Sequence, residues 1–280
     1  MTATAANQET PVFPVTLCVM TLNEAHNIAR CLDSVPFVDE KLVIDSGSSD
    51  ATCDIAAAHG AKVVQHAWLG FGPQRNFATT QAKNDWILAL DADESLTPAL
   101  VAEFIARLPA VLESSAAGAR LRRSAWYMGA PMRWYRPMVG EKIGRLYHRE
   151  RARWTDVRVH ESLRFEGGVL EFREAFLHHQ SPTLVHKSLK VLRYSELKAL
   201  DWAERGRGPR MFECPFVFAT TFFKDYVIRL AFLDGWRGFA VAHVAANYAV
   251  YKRLRLYELT VNPASRQEAA AILERHGLDR

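Results

Sequence analysis

Four short runs that predict β-strands, separated by segments with helical periodicity, constrain the fold of this chain more than any other feature. The runs lie at residues 15–20, 41–45, 61–65 and 86–90. The first is nearly continuously apolar, which is typical of a strand buried on both faces, and strands separated by helices favour a largely parallel sheet. We therefore expect an α/β fold that begins near residue 14.

The segments between these runs carry the signals of helices. Asn23 is placed to cap a first helix, whose apolar residues recur at helical spacing. Further helices are predicted at 51–59, 73–82 and 98–108, and Gly60 is placed to end the second helix.

Polar residues follow three of the predicted strands at the point where each strand ends. They are Thr21, Asn23, Glu24, Asp45, Ser46, Asp91 and Asp93. In open α/β sheets, ligands bind just beyond the carboxyl ends of the strands. These side chains are therefore expected to converge on one ligand-binding rim.

The sharpest chemical signal is the pair Asp91 and Asp93, two residues apart at the end of a buried run. Two such carboxylates are costly to bury unless they are paired or bound to a metal. Mg²⁺ and Mn²⁺ prefer oxygen ligands and share them with substrate phosphates. The alternative is an N-cap cluster for the helix that follows.

Charge and cysteine content narrow the choice of partners. The net charge is only +4, but eleven basic and three acidic residues lie between residues 120 and 158. That segment suits phosphate-bearing ligands or an anionic surface, and its alternative is a solvated face. No nucleic-acid signature is present. Cys18 and Cys31 lie at apolar positions and are expected to be reduced core residues, typical of a cytosolic protein.

The C-terminal part of the chain is predicted to be helical. One helix is expected at 184–205, and a helical hairpin at 216–233 and 236–258 with its turn at Asp234-Gly235. The hairpin combines aromatic with basic residues, a pattern that suits a membrane interface, packing on the catalytic domain or dimerisation.

The predicted organisation has four parts. They are a flexible N-terminus at 1–12, a catalytic domain at 13–182, a helical extension at 183–260 and a tail at 261–280. Neither a signal peptide nor an apolar stretch long enough to span a bilayer is expected.

Several motifs, in order, resemble the inverting family-2 glycosyltransferases. They read VMTLNEAHNI (19–28), VIDSGSSDAT (43–52), QRNFA (74–78) and LDADE (90–94). Three further segments, RLY (145–147), VHE (159–161) and FLDGWRGF (232–239), resemble a bacterial branch that extends the inner core of lipopolysaccharide. The resemblance implies a GT-A nucleotide-diphospho-sugar transferase fold, with a Rossmann-like, mostly parallel sheet and a C-terminal helical extension.

The resemblance also implies roles for the residues of the donor half. Thr21, Asn23, Glu24 and Asp45 would line the nucleotide pocket, with Asp45 accepting a hydrogen bond from uracil. The alternative for Asp45 is a cap of the turn at 46–50.

The same motifs imply the metal and phosphate contacts. Asp93 would bind Mg²⁺ or Mn²⁺, and Asp91 the ribose or the metal. His178 is a third candidate metal ligand, and Glu94 is expected to be structural. Arg75 would neutralise a donor phosphate or, alternatively, be a surface charge.

On the acceptor side, Glu161 would be the catalytic base, with His160 as the alternative base. Trp134 and Arg145 are predicted to bind the acceptor, because aromatic faces pack on sugar rings and arginines hold anionic groups.

These implications define one preferred function and its alternatives. The preferred function is transfer of a hexose, glucose first, from a UDP-sugar to a lipopolysaccharide inner core or related glycolipid. The enzyme would be cytoplasmic and peripheral on the inner face of the inner membrane. The alternatives are another cell-envelope glycosyltransferase with a different sugar, and a non-catalytic membrane-associated scaffold.

Overall fold

Two units, each with its own apolar core, make up the part of the chain that the computed structural model describes, residues 10–155, 162–181 and 183–275. Among these residues, unit 1 contains 10–124, 140–155 and 162–179, and unit 2 contains 125–139, 180–181 and 183–275. Residues 125–139 thus group with the C-terminal helices, although the predicted catalytic domain included them.

Eleven strands are found in the described residues. They are β1 (Phe13–Thr21), β2 (Val38–Asp45), β3 (Lys62–Gln65), β4 (Trp86–Asp91), β5 (Glu94–Leu96), β6 (Gly118–Tyr127), β7 (Ala130–Pro131), β8 (Val139–His148), β9 (Ala152–Trp154), β10 (Leu163–Phe165) and β11 (Val169–Ser181). The main sheet has the order β3-β2-β1-β4-β8-β6-β11-β5. The four predicted strands are confirmed as β1 to β4, and they pair in parallel.

Eight α-helices accompany these strands in the described residues. They are α1 (Ile28–Asp33), α2 (Thr52–Ala58), α3 (Phe71–Gln81), α4 (Pro98–Glu113), α5 (Leu184–Glu204), α6 (Cys214–Phe223), α7 (Gly235–Val261) and α8 (Ser265–Arg275). The mixed sheet, its flanking helices and the helical C-terminal part confirm the predicted α/β, GT-A-type fold class.

The core of unit 1 forms because β1, β2 and β4 are buried along nearly their whole length. Leu17, Val43 and Leu88 have no exposed surface, and Phe104 of α4 packs in the same cluster. Cys18 and Cys31 are buried free thiols, as predicted from their apolar surroundings.

The turn after β1 differs from its prediction. Asn23 does not cap α1, whose N-cap is Asn27. Asn23 instead has a left-handed φ of 57° and accepts a hydrogen bond from the backbone N–H of Ser49 at 2.8 Å. Asparagine tolerates this conformation because its short polar side chain bonds locally. The β1 turn is therefore tied to the β2 turn.

Unit 2 contains the predicted helical hairpin in a more broken form. The segment predicted as one helix at 216–233 consists of α6, a π-helical turn at Lys224–Ile228 and a 3₁₀ turn at Ala231–Asp234. Leu230 between the two turns has a left-handed φ of 64°. The reversal near Asp234-Gly235 is confirmed, since α7 begins at Gly235.

Candidate active site

The predicted rim of unit 1 centres on Asp91 at the end of β4. Its Oδ1 lies 2.5 Å from Nη2 of Arg75, and its Oδ2 lies 3.0 Å from Nη2 of Arg145. Burial alone would raise the pKa of Asp91, but the two guanidiniums hold it well below its usual range. Asp91 is therefore an anion with one exposed edge, since its side chain is 34% exposed.

Glu94 forms the buried back of this cluster. Its carboxylate has no exposed surface, pairs with Arg145 and accepts the backbone N–H of Asp91 at 3.0 Å. Burial raises the pKa of Glu94 although Arg145 opposes the shift, whereas Glu94 and Asp91 raise the pKa of the buried Arg145. These contacts agree with the structural role expected for Glu94.

Asp93 and His178 stand together beside the cluster. The Oδ2 atom of Asp93 lies 3.2 Å from Nε2 of His178 on β11. β11 pairs with β5 so that His178 is opposite Glu94. Burial would lower the pKa of His178, but its contact with Asp93 raises it above 6.5. One carboxylate and one imidazole that lie 85 residues apart in the sequence are thus brought together by this strand pairing.

The residues present fit a divalent cation whose remaining coordination positions are filled by substrate and water. Within the described part of the chain, no group of three His, Cys, Asp or Glu side chains is arranged to hold a metal alone. Mg²⁺ is commonly held by one or two carboxylates, with substrate phosphates and water filling the other positions. Asp93 and His178 suit that arrangement, and Asp91 is already engaged by two arginines.

Two buried N–H groups of the cluster lack an acceptor. The Nε atoms of Arg75 and Arg145 have no hydrogen-bond partner among the described residues. The Cζ atom of Arg75 lies 4.5 Å from the centre of the Trp154 ring. Such orphaned donors are uncommon in native structures. The two guanidinium charges are balanced by Asp91 and Glu94, and the exposed edge of Asp91 is the part of this cluster that is open to a ligand.

Asp45 organises the turn that follows β2. Its carboxylate accepts hydrogen bonds from Thr21 Oγ1 at 2.9 Å, Gly47 N at 3.0 Å and Ser48 N at 2.8 Å. Burial would raise the pKa of Asp45, but the bonds from Ser48 and Thr21 lower it. These are the contacts of the turn-capping alternative. The uracil contact stays a prediction for a side chain that is fully buried in this structure.

The other nucleotide-pocket candidates lie on the same turns. Asn23 joins the turns after β1 and β2, and the backbone N–H of Glu24 donates to Oγ1 of Thr52 at 2.8 Å. The carboxylate of Glu24 accepts from Asn27 at 2.8 Å. The structure thus brings Thr21, Asn23, Glu24 and Asp45 to one edge of the sheet.

The burial of two arginines bears on their predicted roles. Arg75 is 3% exposed and Arg145 is 5% exposed, so neither is a surface charge. A guanidinium enclosed by Asp91 and Glu94 leaves no open edge for an acceptor. We therefore propose that Arg145 positions these carboxylates, in place of its predicted acceptor contact.

The remaining candidates lie elsewhere. Glu161 and His160, the predicted bases, fall outside the described residues. Trp134 lies in unit 2 with an exposed side chain, and its backbone N–H donates to Asp234 at 3.1 Å. Trp154, which stacks on Arg75, was not a predicted site residue, and no motif or spacing in the sequence marks it.

The family of the chain follows from comparison with known proteins. Residues 16–160 match the model of glycosyl transferase family 2. The chain belongs to this family and is a glycosyltransferase.

Two relatives match along most of their length. One is the lipopolysaccharide core biosynthesis glycosyltransferase LpsC of Rhizobium meliloti (strain 1021), 30% identical over 262 residues, 89% of this chain and 93% of that protein. The other is an uncharacterized glycosyltransferase of Rickettsia bellii (strain RML369-C), 31% identical and covering 89% of each chain. Among solved structures, S. aureus TarS 1–349 in complex with UDP-GlcNAc is 23% identical. It overlaps 44% of this chain and 38% of its own, with a TM-score of 0.36.

Proposed function

We propose that this glycosyltransferase moves a hexose, glucose in the first instance, from a UDP-sugar to a lipopolysaccharide inner core or a related glycolipid. The observation that carries the proposal is the match to LpsC, a protein named for lipopolysaccharide core biosynthesis. The match covers 93% of that protein, so it includes more than the nucleotide-binding motifs. A likeness of that extent supports a shared class of acceptor.

The donor half of the proposed site is built on β4, β5 and β11. Asp93 and His178 would hold Mg²⁺ or Mn²⁺ together with the donor diphosphate. The bound cation would offset the negative charge that develops on the leaving nucleotide. Asp91, oriented by Arg75 and Arg145, would meet the ribose, while Thr21, Asn23, Glu24 and Asp45 would line the nucleotide pocket.

The acceptor half supplies the proton acceptor. In an inverting displacement the acceptor oxygen forms its bond to the anomeric carbon as the bond from that carbon to the diphosphate oxygen breaks. The hydroxyl proton passes to a base on the acceptor side, which we assign to Glu161, with His160 as the alternative. Trp134 would pack against an acceptor sugar ring.

A lipid-linked acceptor sets the proposed place of action. The enzyme would work at the inner face of the inner membrane, where such an acceptor is displayed. None of the helices in the described ranges is long and apolar enough to cross a bilayer.

One experiment tests the proposed reaction directly. The full chain is incubated with a panel of nucleotide sugars and a truncated lipopolysaccharide acceptor, and the product is weighed by mass spectrometry. We expect a mass increase of one hexose with a UDP-sugar, and Glu161→Gln should lower turnover by about 100-fold or more. Asp54→Asn, a change of an exposed α2 carboxylate, is the matched control and should keep full turnover.

Other outcomes would select an alternative. Transfer of a different sugar would keep the reaction class and replace glucose. Failure to bind any UDP-sugar in calorimetry, with Mg²⁺ or Mn²⁺ present, would favour the non-catalytic scaffold. Unchanged turnover in Glu161→Gln would remove that residue as the base.

A further inference from the structure

A cluster of exposed aromatic side chains lies on the helical hairpin of unit 2. We call it the aromatic surface, and it consists of Phe212, Phe216, Phe223, Phe232, Trp236 and Phe239. Trp236 is 83% exposed, Phe212 75% and Phe216 72%. Single exposed apolar residues are ordinary, but a concentration of this kind marks an interaction site.

Ring contacts join part of this surface into one patch. The ring centre of Phe239 lies 5.7 Å from that of Trp236 and 6.0 Å from that of Tyr226. The ring of Tyr226 lies 6.2 Å from that of Phe232. On α6, Phe216 and Phe223 are seven residues apart and so share one helix face.

The backbone beneath the patch is closely packed. Tyr226 and Phe222 pack with Ala231, Val241 and Ala242 in the core of unit 2. At Gly238 a Cβ atom would lie 1.6 Å from the carbonyl oxygen of Ala231, so only glycine allows α7 to approach the 3₁₀ turn. The aromatic rings are therefore carried on an ordered framework.

Charge is segregated across the same segment. Residues 205–239 contain six basic and three acidic residues. Asp225 is buried against Arg229, and Asp234 is buried as the acceptor for backbone N–H groups of Arg133, Trp134 and Tyr135. The third acid, Glu213, pairs with Arg210 and Arg253.

The cations are placed differently from these acids. Lys224 is exposed beside Phe223, and Arg237 is partly exposed beside Trp236. Neither forms an ion pair with a carboxylate in the described ranges. The exposed and partly exposed positions of this segment therefore include six aromatic rings and two cations that form no ion pair with the described residues.

We propose that the aromatic surface docks the chain on an anionic lipid bilayer, with its rings in the headgroup region and Lys224 and Arg237 against lipid phosphates. Trp and Phe beside Lys and Arg are characteristic of surfaces that lie in a membrane interface. In a symmetric contact with a second copy, the same unpaired cations would face one another, which argues against that occupant. The inference rests on the proposed action at a membrane and names the surface that would bind the lipid. It does not depend on which sugar is transferred.

The test is co-sedimentation of the full chain with vesicles, either of phosphatidylcholine alone or of phosphatidylcholine mixed with phosphatidylglycerol. We expect binding to the anionic vesicles that weakens with added salt. Lys224→Gln should weaken it about fivefold, the effect of one charge near such a surface. The double variant Phe216→Ser/Trp236→Ser should weaken it by about tenfold or more, because two rings lose their burial in lipid.

Controls separate docking from folding and from catalysis. Tyr257→Ser, an exposed ring on α7 outside the aromatic surface, should bind vesicles as the native chain does. Circular dichroism and thermal melting check that each variant folds, and light scattering gives its mass. Binding unchanged in the double variant, or a dimer lost in that variant without vesicle binding in the native chain, would overturn the inference. Hexose transfer to a solubilised acceptor would still stand in either case.

Discussion

At the scale of single residues, the site depends on how two buried arginines share their carboxylates. Asp91 lies between Arg75 and Arg145, and Arg145 also pairs with the fully buried Glu94. A buried ion pair contributes little net stability, whereas removing one partner is costly because the other charge remains without compensation. The two arginines fix the position of the Asp91 carboxylate, and this arrangement depends on each charge keeping its partner.

Because Arg145 compensates the buried charge of Glu94, we expect a measurable energetic coupling between these two residues. Arg145→Met should lower the free energy of unfolding by about 3 kcal/mol, because it leaves Glu94 buried without its cation. Adding Glu94→Gln should recover part of the loss, since the amide removes the charge and still accepts the N–H of Asp91. Urea unfolding of both single variants and the double variant measures the coupling. An Arg145→Met cost that is the same with Glu or Gln at position 94 would contradict the prediction.

The carboxylates of the site could be predicted from the sequence, but their partners could not. Asp91 and Asp93 follow a buried apolar run, and local pattern alone places them at the end of a strand. Arg145 meets Asp91 across 54 residues, and this depends on the pairing of β4 with β8. Because no local periodicity in the sequence indicates that pairing, the contact between Arg145 and Asp91 could not be predicted.

At the scale of elements, parallel strands were predictable and antiparallel ones were not. β1 and β4 are largely apolar and buried because both faces of that part of the sheet are covered, whereas the edge strand β3 is only partly buried. β6 mixes buried Leu121 with exposed arginines, and its sequence does not separate a strand from a charged loop. The helical hairpin was predicted, but the left-handed Leu230 that interrupts it was not.

The contacts of Glu103 predict how the stability of the link between α4 and β11 depends on pH. Its carboxylate accepts backbone N–H groups from Arg173 at 3.0 Å and Glu174 at 2.9 Å, and it pairs with Arg107. Burial would raise the pKa of Glu103, but these partners lower it below 4.5. A depressed carboxyl pKa adds stability above the unfolded pKa, and that stability is lost as the pH falls through the folded pKa.

Glu103→Gln should therefore destabilise unit 1 by about 1 kcal/mol near pH 7, because bonds to a charged acceptor are lost from a partly exposed site. The difference from the native chain should shrink as the pH falls below about 4.5 and the native carboxylate takes up its proton. Denaturant midpoints across pH measure this trend. Glu113→Gln, at an exposed position of the same helix, should show no such pH-dependent difference.

The close backbone approach at Gly238 predicts that a methyl group added at this position destabilises unit 2. Alanine normally favours a helix interior by about 1 kcal/mol over glycine. At position 238 its Cβ would meet the backbone of Ala231, which cannot rotate away, so Gly238→Ala should destabilise by roughly 1–3 kcal/mol. Thermal unfolding measures the loss. Gly208→Ala, where a Cβ meets no atom within 4 Å, should be neutral, and equal stability of both variants would contradict the close approach.

At the scale of the whole molecule, each unit draws on two separated stretches of chain. Residues 125–139 belong with the C-terminal helices, while 140–179 return to the sheet. The predicted boundaries divide the chain into consecutive parts, a catalytic domain followed by an extension. Apolar periodicity indicates local helices and strands but does not show in which unit they pack, so it does not predict that residues 125–139 group with the C-terminal helices. This grouping places Trp134 and the aromatic surface in the same unit, and Asp93 and His178 in the other.

The proposed metal site predicts how the complete enzyme responds to chelation. Removing divalent cations should abolish hexose transfer and weaken UDP binding, and Mn²⁺ or Mg²⁺ should restore both. Asp93→Asn should raise the Mn²⁺ concentration needed for half-maximal transfer by more than about tenfold, because it removes a proposed metal ligand. Even the loss of a residue that only supports a ligand typically weakens metal binding by about tenfold or more. Asp54→Asn should leave that concentration unchanged. Full transfer in the presence of excess chelator would contradict the proposed metal site.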